Sequence, residues 1–347
     1  MTPRVATVLS AREWESSFVA HAREAATVRL VLRAFVPDEV SGESDRIDVV
    51  VAGAETSWVT PARIRAWRRS GLRIVGIHPR GDQPARERLA AGGADEILPD
   101  DSGPEAIARA ALLLEPTAPA VTDAPTGRLM VVTGGRGAPG RTEVALALAW
   151  ASAGSTPTLL VDLDLEAPAV AIRLGVPPRP DVTEAADAVL ATGTLPETAL
   201  QRVGSLRLLV GSHRSGEPPL RAGLVDDLVD AARAIAAMVI VDAGPWPASE
   251  RLVKQATDAA LVTATSPNAL VRAARIAAEW SGPPPSLVVN QAPRDHGSAI
   301  ESLRQWVGLE PTAVIPRRRS VSARARSGRG PHPRVLASLA PLLDVAS

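Results

Sequence analysis

Along this chain, short β-branched apolar runs alternate with alanine-rich helical stretches, a pattern that predicts α/β architecture with parallel sheets. The alternation breaks at residues 116–127 (Pro-Thr-Ala-Pro-Ala-Val-Thr-Asp-Ala-Pro-Thr-Gly), which show no apolar period and predict a Pro/Ala/Thr linker. Residues 1–115 and 128–347 are therefore expected to form two doubly wound parallel-sheet domains. In the first, strands are expected near 4–9, 28–35, 47–52, 73–78 and 95–98, with helices near 11–24, 60–70, 84–92 and 104–114. In the second, strands are expected near 129–133, 158–162, 206–211, 238–242, 259–265, 286–290 and 312–315. The helices between them include 141–153, 223–236, 267–280, 298–307 and 333–343. Runs such as Met238-Val239-Ile240-Val241 and Leu287-Val288-Val289 are continuously apolar, as strands buried on both faces must be.

Length and composition narrow the classes of function. A chain of 347 residues can bury two cores, and its net charge of zero gives no global basic field to favour nucleic acid. The absence of cysteine excludes disulfides, thiolate metal sites and a cysteine nucleophile, and it fits a reducing cytoplasm. No apolar run approaches the ~20 residues that span a bilayer, and Met1-Thr2-Pro3-Arg4-Val5 leads straight into a strand. A soluble, cytoplasmic protein is expected, any membrane contact being peripheral. Lys254 is the sole lysine amid abundant arginine, alanine and proline, which we read as a compositional bias.

The most informative stretch runs Leu129-Met130-Val131-Val132-Thr133-Gly134-Gly135-Arg136-Gly137-Ala138-Pro139-Gly140-Arg141-Thr142, followed by an alanine-rich helix. Strand, glycine turn and helix N-terminus make an anion site, because free N–H groups converge where the helix dipole favours negative charge. Two fingerprints fit. Gly135, Gly137 and Gly140 give Gly-x-Gly-x-x-Gly, with Asp162 about twenty residues on, which is the dinucleotide pattern. Thr133-Gly134-Gly135 is similar to short-chain dehydrogenases, but a chain without tyrosine lacks their Tyr/Lys pair, leaving only a non-catalytic NAD binder. Gly135 to Thr142 equally gives the P-loop pattern Gly-x-x-x-x-Gly-Lys-Thr, with Arg141 at the lysine position.

The second fingerprint sharpens against the deviant loop of the MinD/ParA ATPases, Lys-Gly-Gly-x-Gly-Lys-Thr. Arg136 to Thr142 resembles it with both lysines turned to arginine and one glycine to Ala138. Thr158-Leu159-Leu160-Val161-Asp162-Leu163-Asp164 is similar to that family's second strand, which ends in paired aspartates. Val239-Ile240-Val241-Asp242-Ala243-Gly244-Pro245 resembles its Walker B strand and switch. Leu287-Val288-Val289-Asn290 and Val314-Ile315-Pro316 resemble the segments that hold adenine. Four motifs in the family's order favour the P-loop fingerprint.

The resemblance implies ATP and Mg²⁺ as ligands, and it implies roles. Gly135, Gly137, Ala138, Pro139, Gly140, Arg141, Thr142 and Glu143 would surround the phosphates, with Asn290 and Pro316 at adenine. Arg141 would bridge the β- and γ-phosphates. Arg136 would replace the signature lysine, which reaches a dimer partner's nucleotide. Thr142, Asp162 and Asp242 would serve Mg²⁺, and Asp164 would position the attacking water. Thr142 is equally suited to helix capping, and Asp162 and Asp164 to ordinary strand-end carboxylates. Arginine is planar and bulkier than lysine, and Pro139 lacks a backbone donor. An essential lysine resists compositional drift, so nucleotide binding with slow or absent hydrolysis is expected. Phosphoryl transfer depends on positioning and charge neutralisation, so rate should suffer before affinity.

The first domain has the size of a flavodoxin-like receiver, and Gly93-Ala94-Asp95-Glu96-Ile97-Leu98-Pro99 resembles the segment leading into a receiver's last strand. Ala52-Gly53, Ser10-Ala11 and Pro99-Asp100 stand where a receiver needs its phosphoacceptor aspartate, acidic pair and lysine. A pseudo-receiver for docking or dimerisation, or a generic α/β domain, fits these residues. A pseudo-receiver joined to a MinD/ParA-type ATPase resembles the CpaE/TadZ family. That family implies an ATP-dependent homodimer at a cell pole or septum, with partners in Flp (tight-adherence) pilus assembly or division. The alternatives are a nucleotide-free scaffold and a ParA-like partition ATPase. For the latter, Arg317, Arg318, Arg319, Arg324, Arg326 and Arg329 are a candidate weak, non-specific DNA contact, although such a segment suits a solvated loop. His78, His213, His296 and His332 show no ligand spacing, and the closing helix from Val335, which contains Pro341, is expected to pack.

Overall fold

The computed structural model describes residues 2–114, 127–137, 140–213, 220, 222–293, 297–326 and 329–344. The chain forms two compact units. The first comprises Met1–Ala124, Ala186–Leu195 and Arg221–Ala231, and the second Pro125–Ala185, Pro196–Leu220 and Ala232–Ser347. Most of the 116–127 linker lies outside the described residues.

The first unit builds a sheet from β1 (Arg4–Val8), β2 (Arg29–Ala34), β3 (Val49–Gly53), β4 (Arg73–His78) and β5 (Glu96–Pro99). All pairings are parallel, in the order β2-β1-β3-β4-β5, the flavodoxin-like order. Helices α1 (Glu13–Ala25), α2 (Pro37–Gly42), α3 (Pro61–Arg69), α4 (Gln83–Gly92) and α5 (Pro104–Leu113) occupy the connections. Successive strand residues face opposite ways, so the unbroken Val49-Val50-Val51 run feeds two cores. Val50 packs with Ile64, Trp67 and Leu89. Val49 and Val51 pack with Trp14, Phe18 and Ile107. A charge lies among these apolar layers. Glu15 is 1% exposed, yet it accepts a hydrogen bond from Thr7 at 3.1 Å and two from Arg33 at 3.0 and 2.8 Å. Such a carboxylate is tolerable only while its partners remain.

The second unit's sheet joins β6 (Arg128–Gly134), β7 (Thr158–Asp162), β8 (Gln201–Val203), β9 (Leu206–Leu209), β10 (Met238–Pro245), β11 (Asp258–Thr263), β12 (Pro285–Ala292) and β13 (Pro311–Pro316). Among the described residues the order is β13-β12-β11-β6-β10-β7-β9-β8, parallel apart from the edge hairpin β8–β9. The helices that follow along the chain are α6 (Arg141–Ser152), α7 (Val170–Leu174), α8 (Val182–Thr192), α9 (Ala222–Ile235), α10 (Glu250–Gln255), α11 (Pro267–Ala278), α12 (Gly297–Val307), α13 (Arg319–Arg326) and α14 (Pro333–Asp344), of which α8 and α9 fall largely in the first unit. Residues Val144 to Ala149 of α6 are all fully buried, so the helix crosses the core with no solvent face. Val335, Leu339 and Leu342 of α14 join that core, the packing role expected of the closing helix.

Most elements unannounced by the apolar pattern are short, the eleven-residue α8 being the exception. The helices α2, α7 and α10 run five or six residues, too few for a helical period to register. The basic segment expected as a loop instead forms α13 over Arg319–Arg326. Replacing Arg33 by Ala leaves Glu15 buried with one remaining donor, so a loss of about 2 kcal/mol is expected. Urea unfolding of the full chain, with Glu15→Met/Arg33→Met as the apolar control, measures it.

Candidate functional site

Strand β10 lies between β6 and β7, with Asp242 in register with Val132 on one side and Asp162 on the other. The carboxyl ends of these three strands therefore meet at one point, where the chain's crossovers turn to opposite sides of β6. The phosphate-loop segment leaves β6 there and enters α6. Two of its glycines, Gly137 at φ 71° and Gly140 at φ 80°, take the left-handed conformation that side chains disfavour. A Cβ at Gly140 would also displace the side-chain amide of Asn290 from β12. Ala138 and Pro139 lie outside the described residues.

At the first turn of α6, Arg141 donates from Nη2 to Asp164 Oδ2 at 2.6 Å, and both side chains are largely buried. Its Nε and Nη1 are buried without a hydrogen-bond partner. The next residue, Thr142, donates from Oγ1 to Asp242 Oδ2 at 2.5 Å, and Asp242 Oδ1 is likewise buried and unpartnered. Two orphan donors and one orphan acceptor thus converge beside a helix N-terminus whose own first amides lack intrahelical partners. Such a set is complementary to an anion and a cation together. Thr133, near the end of β6, donates to the Gly244 carbonyl at 3.1 Å and so ties that strand to the end of β10.

Asp162 stands differently. Its Oδ2 accepts the amides of Ala169 and Val170 at 3.0 Å each, and Oδ1 accepts the amide of Asp164 at 3.3 Å. With both oxygens engaged by backbone and no exposure, it holds the start of α7, whereas Asp242 Oδ1 is left unpartnered beside Thr142. Burial, then the charge of neighbouring Asp242, pushes Asp162 up to about 7. Burial and the charge of Asp164 push Asp242 up to about 6, against opposing help from Thr142 and Arg141.

The remaining expected residues are distributed around this centre. Glu143 pairs with Arg173 through two bonds of 2.7 and 3.0 Å, and Arg173 also donates to the Arg329 carbonyl. Arg136 projects from the loop and pairs with Glu166 at 2.7 Å on the surface. Gly140, Glu143, Asn290 and Pro316 line one pocket of about 1130 Å³, whose rim carries Arg317, Arg318 and Arg319. The pocket is large enough for a nucleoside and opens directly from the phosphate loop. Gly135 and Gly137 face the other way, toward Arg272 of α11. Neither Arg173 nor Arg272 belongs to a motif; Arg173 reaches the site from the five-residue α7 and Arg272 from the amphipathic α11. Of the histidines, His78 is buried against the Pro79 carbonyl, His213 is exposed, His332 accepts the Arg334 amide at 3.2 Å, and His296 lies outside the described residues.

No protein-family model matches this sequence, and no curated protein matches it closely enough to count as a relative. Solved structures do match. The MinD cell division protein of Aquifex aeolicus superposes with a TM-score of 0.52 at 17% identity, over 63% of this chain and 98% of that one. A ParA family ATPase of Chlorobium tepidum gives 0.51 at 19%, over 63% and 93%. The septum site-determining protein MinD of Pyrococcus horikoshii, complexed with Mg-ADP, gives 0.50 at 16%, over 64% and 96%. The chain therefore carries the α/β P-loop fold of the MinD and ParA ATPases. At these identities the likeness is one of fold. Among the described residues, no helix is long and apolar enough to cross a membrane.

A carboxylate whose folded pKa lies above its unfolded value binds more protons when folded, so stability falls as pH rises from the unfolded to the folded pKa. Asp162 and Asp242 place that window between about 4 and about 7. The ligand-free protein is expected to melt lower at pH 7.5 than at pH 5, and Asp242→Asn to recover up to about 3 kcal/mol at the higher pH. Thermal melts of both proteins at the two pH values check this.

Proposed function

We propose that this protein is an ATP-binding positional regulator, with Mg-ATP held at the β6–α6 loop and hydrolysed slowly or not at all. The observation that supports it most is the trio of buried unpartnered atoms, Arg141 Nε and Nη1 and Asp242 Oδ1, beside the pocket that contains Asn290 and Pro316. On this reading Arg141 and the amides at the start of α6 hold the phosphates, and the adenosine lies between Asn290 and Pro316. Thr142 and Asp242 hold Mg²⁺, which neutralises phosphate charge. Arg141 differs from a lysine in binding through a planar fork, so one N–H edge can stay on Asp164 while others reach a phosphate. Asp164, committed to Arg141, is then a poor site for an attacking water, and this supports slow turnover.

The finer reading is of CpaE/TadZ type: an ATP-dependent homodimer at a cell pole or septum that helps place pilus or division machinery. The flavodoxin-like strand order of the first unit supports a pseudo-receiver, and Ser10, Gly53 and Asp100 at its strand ends leave no phosphoacceptor pattern. That unit would serve docking or dimerisation. The fold shared with MinD and ParA supports positioning as the general role.

Calorimetry with Mg-ATP, Mg-ADP and NAD on the full chain tests the proposal. ATP binding weakened at least about tenfold by Arg141→Ala, and similarly by Asp242→Ala, is the expected result. No nucleotide binding by the wild-type protein would leave a scaffold, and NAD binding alone would restore the dinucleotide fingerprint. ATP-dependent, salt-sensitive retention on DNA would instead favour a partition ATPase using the arginines of α13.

A further inference from the structure

The phosphate loop has a support on its outer side that no motif announces. Arg272, on α11, lays its stem against the loop: a Cβ added at Gly135 would lie 3.1 Å from Arg272 Cβ, and one at Gly137 would lie 3.5 Å from Nη1. From Nη1, Arg272 donates a short hydrogen bond to the carbonyl oxygen of Arg136. The carbonyl of residue 136 and the N–H of residue 137 belong to one planar trans peptide, so they point in opposite directions. Fixing the Arg136 carbonyl toward α11 fixes the Gly137 N–H away from it. Gly137 sits at φ 71°, and successive N–H groups around a left-handed residue form the concave donor set that receives anions.

We infer that Arg272 is the positioning residue of this phosphate loop, clamping the 136–137 peptide so that the Gly137 amide is presented to a polyphosphate. The inference rests on the nucleotide-binding reading for its ligand, but not for the clamp itself. The sequence gives a reason for such a device. Pro139 has no N–H to offer, so each remaining backbone donor of the loop counts for more. The Arg272 guanidinium also sets a further positive charge behind the loop, with Arg141 at its helix end.

Carbonyl-carbon NMR of the ligand-free full chain, read at Arg136, isolates the clamp from any question of ligand. In Arg272→Met, which keeps the apolar stem, the Arg136 carbonyl is expected to move upfield as it loses a charged donor, and the Gly137 amide nitrogen to shift with it. Arg272→Lys should restore part of the shift, and melting temperatures report whether either variant is merely unfolded. An unchanged Arg136 carbonyl in a folded Arg272→Met overturns the inference. Binding supplies the second readout. Tripolyphosphate and ATP should each weaken by about tenfold in Arg272→Met, while adenosine affinity stays unchanged. Equal losses for adenosine and ATP would mean a general structural role and would also overturn it. If wild-type protein binds tripolyphosphate but not ATP, the nucleotide reading fails while the clamp stands.

Discussion

In the second unit, the parallel insertion of β10 between β6 and β7 is the constraint from which the site follows. It brings residues 132, 162 and 242, far apart in the chain, to one level at the carboxyl edge of the sheet. Two carboxylates then sit side by side in a buried layer, a juxtaposition that is unfavourable for both. The structure answers it from two directions. Asp162 is absorbed by the backbone at the start of α7, and Asp242 is met by Thr142 from the first turn of α6. The same helix turn supplies Arg141, whose charge moderates Asp242 and whose guanidinium is tied to Asp164.

This arrangement is a polar centre with incomplete internal pairing. Buried polar groups are nearly always hydrogen-bonded, so orphan donors on Arg141 and an orphan acceptor on Asp242 mark where complementary groups belong. A lysine in place of Arg141 would present a compact, mobile charge, whereas the guanidinium is anchored on one edge by Asp164. On the proposed reading, affinity for phosphate and poor turnover would both follow from one substitution in one geometry. The arginine-rich surroundings extend the theme: Arg136, Arg173 and Arg272 each bond a carboxylate or a backbone carbonyl, so they act as braces for the loop and its flanks.

The first unit shows a different economy. Its strand ends lack the side chains of phosphotransfer, yet its sheet is fully built, with β3 buried on both faces and helices on each. On the proposed pseudo-receiver reading, an intact sheet without a phosphoacceptor would fit a domain used for its surface. The buried Glu15, held by Thr7 and Arg33, is a charge this unit tolerates only while those partners remain.

Much of the fold was legible along the chain because the strands bury both faces: continuous Val, Ile and Leu runs separated by helical stretches admit few arrangements other than parallel α/β sheets. The glycine spacing and the strand-end carboxylates were legible too, being local properties, and the fold places Thr142 against Asp242 and lines one pocket with Asn290 and Pro316. What the tertiary structure alone decided was the use of each charge. Asp162 and Asp164 look equivalent in sequence, but one caps α7 and the other holds Arg141, because only packing determines which donors come within reach. Arg173 and Arg272 gave no local signal; their partners lie 30 and 136 residues away. Local pattern determines which element a residue occupies, and long-range register determines which neighbour its charge meets.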